Sequence, residues 1–221
     1  MHIHIPDGIL PIWLWGLGYI LTFFFLVICL LGLKKEIKKI PLVGMLTAIA
    51  LIIMSVPLGL PIHLNLMVLI GLLVGIRWSL VSALVLNFIL ASFGHGGITV
   101  VGLNTLVLWW QAVLGIFLFK FSIKIFKNYF ASASFATFAS LACSFLAIIG
   151  IVAVSRVEPA EFLHLHRAGR EIEEIGHTEL SFPTFILLSA PISFFGALVE
   201  SIFTGFCVQF IKKIKPKLIA I

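Results

Sequence analysis

Long apolar runs constrain this chain more than any other feature. A helix needs about 20 apolar residues to cross the hydrocarbon core of a bilayer. Runs of roughly that length lie at 9–33, 40–57, 62–76, 78–93, 100–119, 129–154 and 184–211. They fill a sequence of 221 residues that is 61% hydrophobic and only 11% charged, whereas a soluble domain carries about 25% charged residues. The sequence predicts a single polytopic membrane domain over 1–221, an all-α bundle of seven transmembrane helices. It excludes an ordinary soluble protein and a nucleic-acid-binding protein.

The third and fourth runs are the shortest, and they meet at Arg77. They are therefore either one helical hairpin or a partly re-entrant pair. Gly71 and Gly75 form a GxxxG motif in the third run, and this motif allows two membrane helices to approach closely.

The positive charges give an orientation. Most of the 15 lysines and arginines follow odd-numbered runs. They form four groups: Lys34, Lys35, Lys38 and Lys39; Arg77; Lys120, Lys124 and Lys127; and Lys212, Lys213, Lys215 and Lys217. The positive-inside rule places these groups in the cytoplasm, with the N-terminus outside and the C-terminus inside. On this topology all seven histidines face the outer side.

The N-terminus, MHIHIPDG, has the chemistry of a metal chelate. The α-amine of Met1, the deprotonated amide nitrogen of His2 and its Nδ1 atom supply three nitrogens in fused five- and six-membered rings. One further imidazole completes a planar set that suits Ni(II) or Cu(II) and is accessible to low-spin Co(II). The alternative is a frayed tail whose histidines are incidental.

Two internal segments supply partners for this tail. His63, in LPIHLN, is the candidate for the fourth nitrogen; the alternative is an interfacial histidine that hydrogen-bonds to its loop. The glycines around His95 in FGHGGIT predict a sharp turn that approaches the tail. We interpret His95 as a structural or supporting residue more than as a ligand, and Asn104 as an amide that orients a ligating imidazole.

The remaining polar residues indicate no enzyme. Glu200 is the one carboxylate within a predicted span, so we expect it to face the bundle interior or a partner subunit. The outer loop at 155–183 is the only long polar stretch, and it cannot be assigned a role. The sequence contains no HExxH, GxSxG or P-loop motif.

The tail, the IHL segment, FGHGGITVVGLN and LVESIFTG at 198–205 together resemble the substrate-binding membrane subunit of cobalt and nickel energy-coupling-factor transporters. The resemblance implies a six-helix S-component core with an additional N-terminal helix, in the plasma membrane of a prokaryote. It implies Co(II) or Ni(II) as the transported substrate, held by Met1, His2 and His63, with no organic cofactor. The implied partners are a transmembrane coupling subunit, cytoplasmic ATPases and a small accessory membrane subunit, within membrane lipid.

Two departures from the family pattern leave alternatives open. The family's HIPDG aligns best with residues 4–8, so His4 either supplements or replaces His2 as a ligand. Pro61 and Ile62 stand where the family has small polar residues. The PDG sequence favours cobalt over nickel. Two other functions are an S-component for an organic vitamin, which would not depend on the N-terminus, and a membrane-embedded metal enzyme, which would need an open coordination site and a general base.

Overall fold

A computed structural model describes residues 10–55, 64–94, 96–155 and 182–219, all helical or irregular without a strand in these ranges. Seven α-helices follow one another along the chain. They are α1 (Ile12–Leu33), α2 (Ile40–Ser55), α3 (Met67–Val74), α4 (Ile76–Ser92), α5 (Val101–Phe126), α6 (Tyr129–Ser155) and α7 (Phe182–Ile214). Short 3₁₀ segments at Lys34–Lys39 and Pro216–Leu218 join α1 to α2 and follow α7.

Each predicted apolar run overlaps one of these helices, although α4, α5, α6 and α7 extend beyond the predicted bounds. Five helical stretches are long and apolar enough to cross a membrane: those of α1, α2, α5, α6 and α7. The multi-pass membrane architecture is therefore confirmed, and seven helices agree with the predicted bundle. With 17 residues, α4 spans only about 25 Å, and α3, with eight, about 12 Å.

The third run differs most from its prediction. The helix begins at Met67 rather than near residue 62, and its N-cap residue Leu66 is left-handed (φ 56°). The prediction that the GxxxG motif permits close helix packing holds for only one of its two glycines. A Cβ on Gly71 would lie 2.9 Å from Ala112 Cβ in α5, so this glycine does permit close packing. A Cβ on Gly75 would have no neighbour within 4 Å in the described ranges, and the φ of 89° at this glycine instead makes the break between α3 and α4.

Helix α5 is the centre of the bundle, because it packs against α1, α3, α4 and α6, while α7 packs mainly on α6. Its buried face includes Leu108, Ala112, Ile116 and Phe119. Large apolar side chains cover the outer surface of the helices, as expected for a lipid-facing surface: Phe23 on α1 is 69% exposed.

Helices α1 and α5 run parallel, because residues later in α1 contact residues later in α5. The Thr22 hydroxyl donates to the Gly102 carbonyl at 2.7 Å, and further along the Phe25 and Trp109 rings lie 5.0 Å apart. The C-terminal ends of α1 and α5 therefore lie at one end of the bundle.

The four groups of cations share that end. Glu36, between α1 and α2, lies 2.8 Å from Lys39 Nζ and 3.5 Å from an Arg77 nitrogen, so it joins the first group to the second. The third group ends at Lys127, two residues before α6 begins at Tyr129. Lys212 of the fourth group lies 4.6 Å from the Tyr129 ring centroid.

Candidate metal centre

Most of the predicted site residues lie outside the described residues. This applies to Met1, His2, His4, His63 and His95, as it does to the three remaining histidines, His164, His166 and His177, in the 155–183 loop. Within the described ranges no three His, Cys, Asp or Glu side chains gather. This is expected, since all seven histidines fall elsewhere. The assignment of these ligands therefore stays a prediction.

The described chain resumes at Leu64, directly after His63, and a buried polar cluster fixes it there. One carboxylate oxygen of Glu200 accepts from the Asn65 N–H at 3.2 Å and the other from the Leu66 N–H at 3.0 Å. Asn65 Nδ2 donates to Gln111 Oε1 at 2.7 Å. The expectation that Glu200 faces the bundle interior is therefore confirmed.

The same contacts determine where α3 begins. Asn65 Oδ1 accepts from the Met67 N–H at 2.9 Å, while the carboxylate of Glu200 lies at the positive N-terminal end of the helix, where the helix dipole stabilises an anion. Leu66 sits between them in the left-handed region, which is unfavourable by roughly 1–2 kcal/mol for a residue with a Cβ atom. Neighbouring hydrogen bonds on both sides hold this conformation.

This cluster lies deep in the bundle. Gln111 is ten residues after Val101, the first residue of α5, which corresponds to about 15 Å along the helix axis. Asn65, Gln111 and Glu200 each have no exposed surface. Gln111 Nε2 is buried with no hydrogen-bond acceptor in the described part of the chain. The described segment Leu64–Leu66 is thus anchored in the middle of the bundle rather than at its rim.

The predicted glycine turn packs against α1. Gly94 and Gly96 have φ of 76° and 83°, a conformation that residues with a Cβ atom rarely adopt. After the turn, the Ile98 carbonyl accepts a hydrogen bond from the Tyr19 hydroxyl. Four residues later, a Cβ on Gly102 would lie 2.7 Å from the backbone nitrogen of Tyr19. The turn is therefore held against the helix that continues from the N-terminal tail.

Asn104 is the one predicted site residue within the described ranges. It lies in the first turn of α5 and is only 2% exposed. Its backbone N–H donates to the Val100 carbonyl at 2.9 Å. The burial fits an amide whose partners are inside the bundle, and its role toward an imidazole stays a prediction.

Sequence reasoning missed Asn65 and Gln111. A polar side chain within an apolar run was the available signal: Gln111 follows TLVLWW, and Asn65 follows IHL. That signal identified Glu200 because a carboxylate in a membrane span is costly. An amide is tolerated more readily in a span, so the same pattern predicted nothing for the other two.

The described residues define a polytopic helical membrane protein with an anchored polar cluster beside the predicted ligand segment. Residues 4–218 match the family CbiM, the cobalt uptake substrate-specific transmembrane region. Because this match covers nearly the whole chain, the protein belongs to that family. The resemblance found in the sequence is confirmed.

Solved structures share the fold. One, described as a transition metal transporter, has a TM-score of 0.75 and 20% sequence identity, with 97% of this chain and 94% of that chain covered. Another, described as a truncated transition metal transporter, has a TM-score of 0.74 and 20% identity, with 95% of this chain and 98% of that chain covered. No curated protein matches the sequence.

Proposed function

We propose that this protein is the metal-capture subunit of an energy-coupling-factor transporter, and that it binds Co(II) or Ni(II) at the outer face of the membrane. The observation that carries the proposal is the match to a cobalt uptake family over residues 4–218. The similar solved structures, described as transition metal transporters, support the same substrate class. Between the two metals we favour cobalt, because the tail reads PDG.

The ligands in this proposal are nitrogen atoms. In a chain that begins at Met1, the α-amine, the His2 amide and the His2 ring form a tridentate chelate, and His63 supplies the fourth nitrogen. His4 is an additional or replacement ligand. His95 and Asn104 support the site without being required as ligands. A set of four nitrogens suits late transition metals and disfavours Mg(II) and Ca(II), which prefer oxygen ligands.

Transport in this proposal requires other subunits. ATP hydrolysis takes place in cytoplasmic ATPases, and a transmembrane coupling subunit transmits its effect to this chain, with a small accessory membrane subunit as a further partner. The cation-rich end of the bundle faces the cytoplasm, as the positive-inside rule predicts, and therefore faces the ATPases.

The N-terminus provides the test. Protein purified with Met1 as its first residue is expected to retain Co(II) or Ni(II) in stoichiometric amount by elemental analysis. Protein with one added glycine before Met1 is expected to lose it, because the α-amine no longer belongs to the chelate ring. An extension after Ile221 is the matched control and is expected to have no effect. Retention of stoichiometric metal by the N-terminally extended protein would refute the amine chelate.

A further inference from the structure

The buried carboxylate of Glu200 has an unusual set of partners for a residue in a membrane helix. It accepts two backbone N–H groups, from Asn65 at 3.2 Å and from Leu66 at 3.0 Å, and these lie more than 130 residues away in the chain. Both donors belong to the short segment that precedes α3. Glu200 therefore fixes the position of the backbone at residues 65 and 66.

A second helix holds the same segment from another side. The Asn65 side chain donates to Gln111 of α5 at 2.7 Å and accepts from the Met67 N–H at 2.9 Å. The segment is thus bound to α7 through its backbone and to α5 through its side chain. In this arrangement Leu66 is held at φ 56°, a conformation that a free chain would leave.

Only Leu64 separates this anchored segment from His63. We propose that Glu200, assisted by Gln111, is a positioning residue for metal binding: by fixing residues 65 and 66 it sets where His63 offers its imidazole. This inference rests on the proposed function, in which His63 supplies the fourth nitrogen. It assigns the intramembrane carboxylate a role in coordination geometry, acting through the backbone and not as a ligand.

The proposal makes a selective prediction about the four donors. The α-amine and the two His2 nitrogens belong to one continuous peptide, so their chelate does not depend on α7. Loss of the Glu200 contacts frees the 65–66 backbone, and the His63 nitrogen is the donor that is lost or displaced. A water molecule then replaces an imidazole, which weakens the ligand field of a planar metal ion.

The experiment uses Ni(II) as the probe and the full chain with Met1 first, purified in detergent. Glu200→Gln keeps the shape but places an amide nitrogen, which cannot accept, against a backbone N–H. Gln111→Met removes the anchor on α5 and leaves Glu200 intact. Thr204→Val is the matched control, since Thr204 lies one turn beyond Glu200 in α7, is equally buried and makes no hydrogen bond through its hydroxyl within the described residues.

We expect Glu200→Gln and Gln111→Met to shift the Ni(II) d–d absorption band to longer wavelength, as His63→Ala does, and to weaken binding about 10–100-fold, the range typical of residues that orient ligands. Thr204→Val is expected to bind as the parent does. Thermal unfolding of the metal-free proteins identifies variants that are folded, and Gln111→Met decides the question if Glu200→Gln does not fold.

Three results would overturn the proposal. Folded Glu200→Gln and Gln111→Met proteins with the parent's spectrum and affinity, alongside a shifted His63→Ala, would refute positioning while leaving the ligand set intact. Complete loss of the planar band, as expected of His2→Ala, would show that the whole site had been lost and would refute a positioning role limited to His63. By contrast, an unchanged spectrum in His63→Ala would refute the ligand set itself, and with it this proposal.

Discussion

The contact between α1 and α5 allows a quantitative test at two neighbouring glycines. Gly18 faces α5: an added Cβ would lie 2.9 Å from the Leu103 backbone nitrogen and 3.0 Å from its Cβ. Gly16 lies on the same helix, and an added Cβ there would have no neighbour within 4 Å among the described residues. Substitution by alanine therefore adds a methyl group to α1 at either position. At Gly18 the methyl group meets the backbone of α5, whereas at Gly16 it meets no described residue.

For Gly18→Ala, α1 must move away from α5 by about 0.5 Å to restore ordinary contact distances. This displacement also strains the buried bond from the Thr22 hydroxyl to the Gly102 carbonyl, now 2.7 Å long. Overpacking of this kind is unfavourable by about 1–3 kcal/mol, and the higher helix propensity of alanine returns roughly 0.5–1 kcal/mol. The net destabilisation is about 0–2.5 kcal/mol, which lowers Tm by up to roughly 10 °C in a chain of this length.

The assay is thermal unfolding of both variants in the same detergent, followed by tryptophan fluorescence. Gly16→Ala is expected to unfold at the parent's temperature or slightly above it, because only the propensity gain applies. Equal Tm values for the two variants would mean that α1 and α5 are not in close contact at Gly18, and would refute this packing arrangement.

Three further predictions concern the membrane and the metal. For topology, a reporter cysteine at Lys38 should react only from the cytoplasm and one at His177 only from outside, and reversed labelling of either would contradict the orientation. For the ligands, isothermal titration with Co(II) should show a loss of orders of magnitude for His63→Ala, a loss of about 10–100-fold for His95→Ala and little change for histidines of the 155–183 loop. For pH, binding requires deprotonated imidazoles with an ordinary pKa of about 6.5, so affinity should fall steeply as the pH falls below about 6; an unchanged affinity at pH 5 would exclude histidine ligands.

The helices were largely predictable because they depend on local composition. A run of apolar residues long enough to cross a bilayer has few alternatives to a helix, since lipid offers no hydrogen-bond partners for the backbone. The start of α3 was not predictable in this way. The local sequence is apolar on both sides of Asn65. The helix nevertheless begins at Met67, because Glu200, far along the chain, binds the two preceding N–H groups.

The candidate site likewise has one part that depends on adjacent residues and one part that depends on long-range contacts. Chelation by Met1 and His2 depends on adjacent residues, so the sequence alone supports that prediction. The position of Asn65, two residues after His63, depends on its long-range contacts with α5 and α7. Such contacts leave no periodic pattern in the sequence. In the sequence alone, Asn65, Gln111 and Glu200 are isolated polar residues in apolar runs.

Both parts of the proposed ligand set are connected to α5, at two different levels. The tail continues into α1, which packs on α5 at Gly102, and the His63 segment is bound through Asn65 to Gln111. These two points lie nine residues apart on one helix, a separation of about 13.5 Å. A helix is stiff over that length, so α5 fixes the two attachment points relative to each other even though neither belongs to the proposed ligand set. A planar site assembled from a chain terminus and a distant histidine needs such a common support, because misplacement of either part by about 1 Å leaves one nitrogen outside bonding distance.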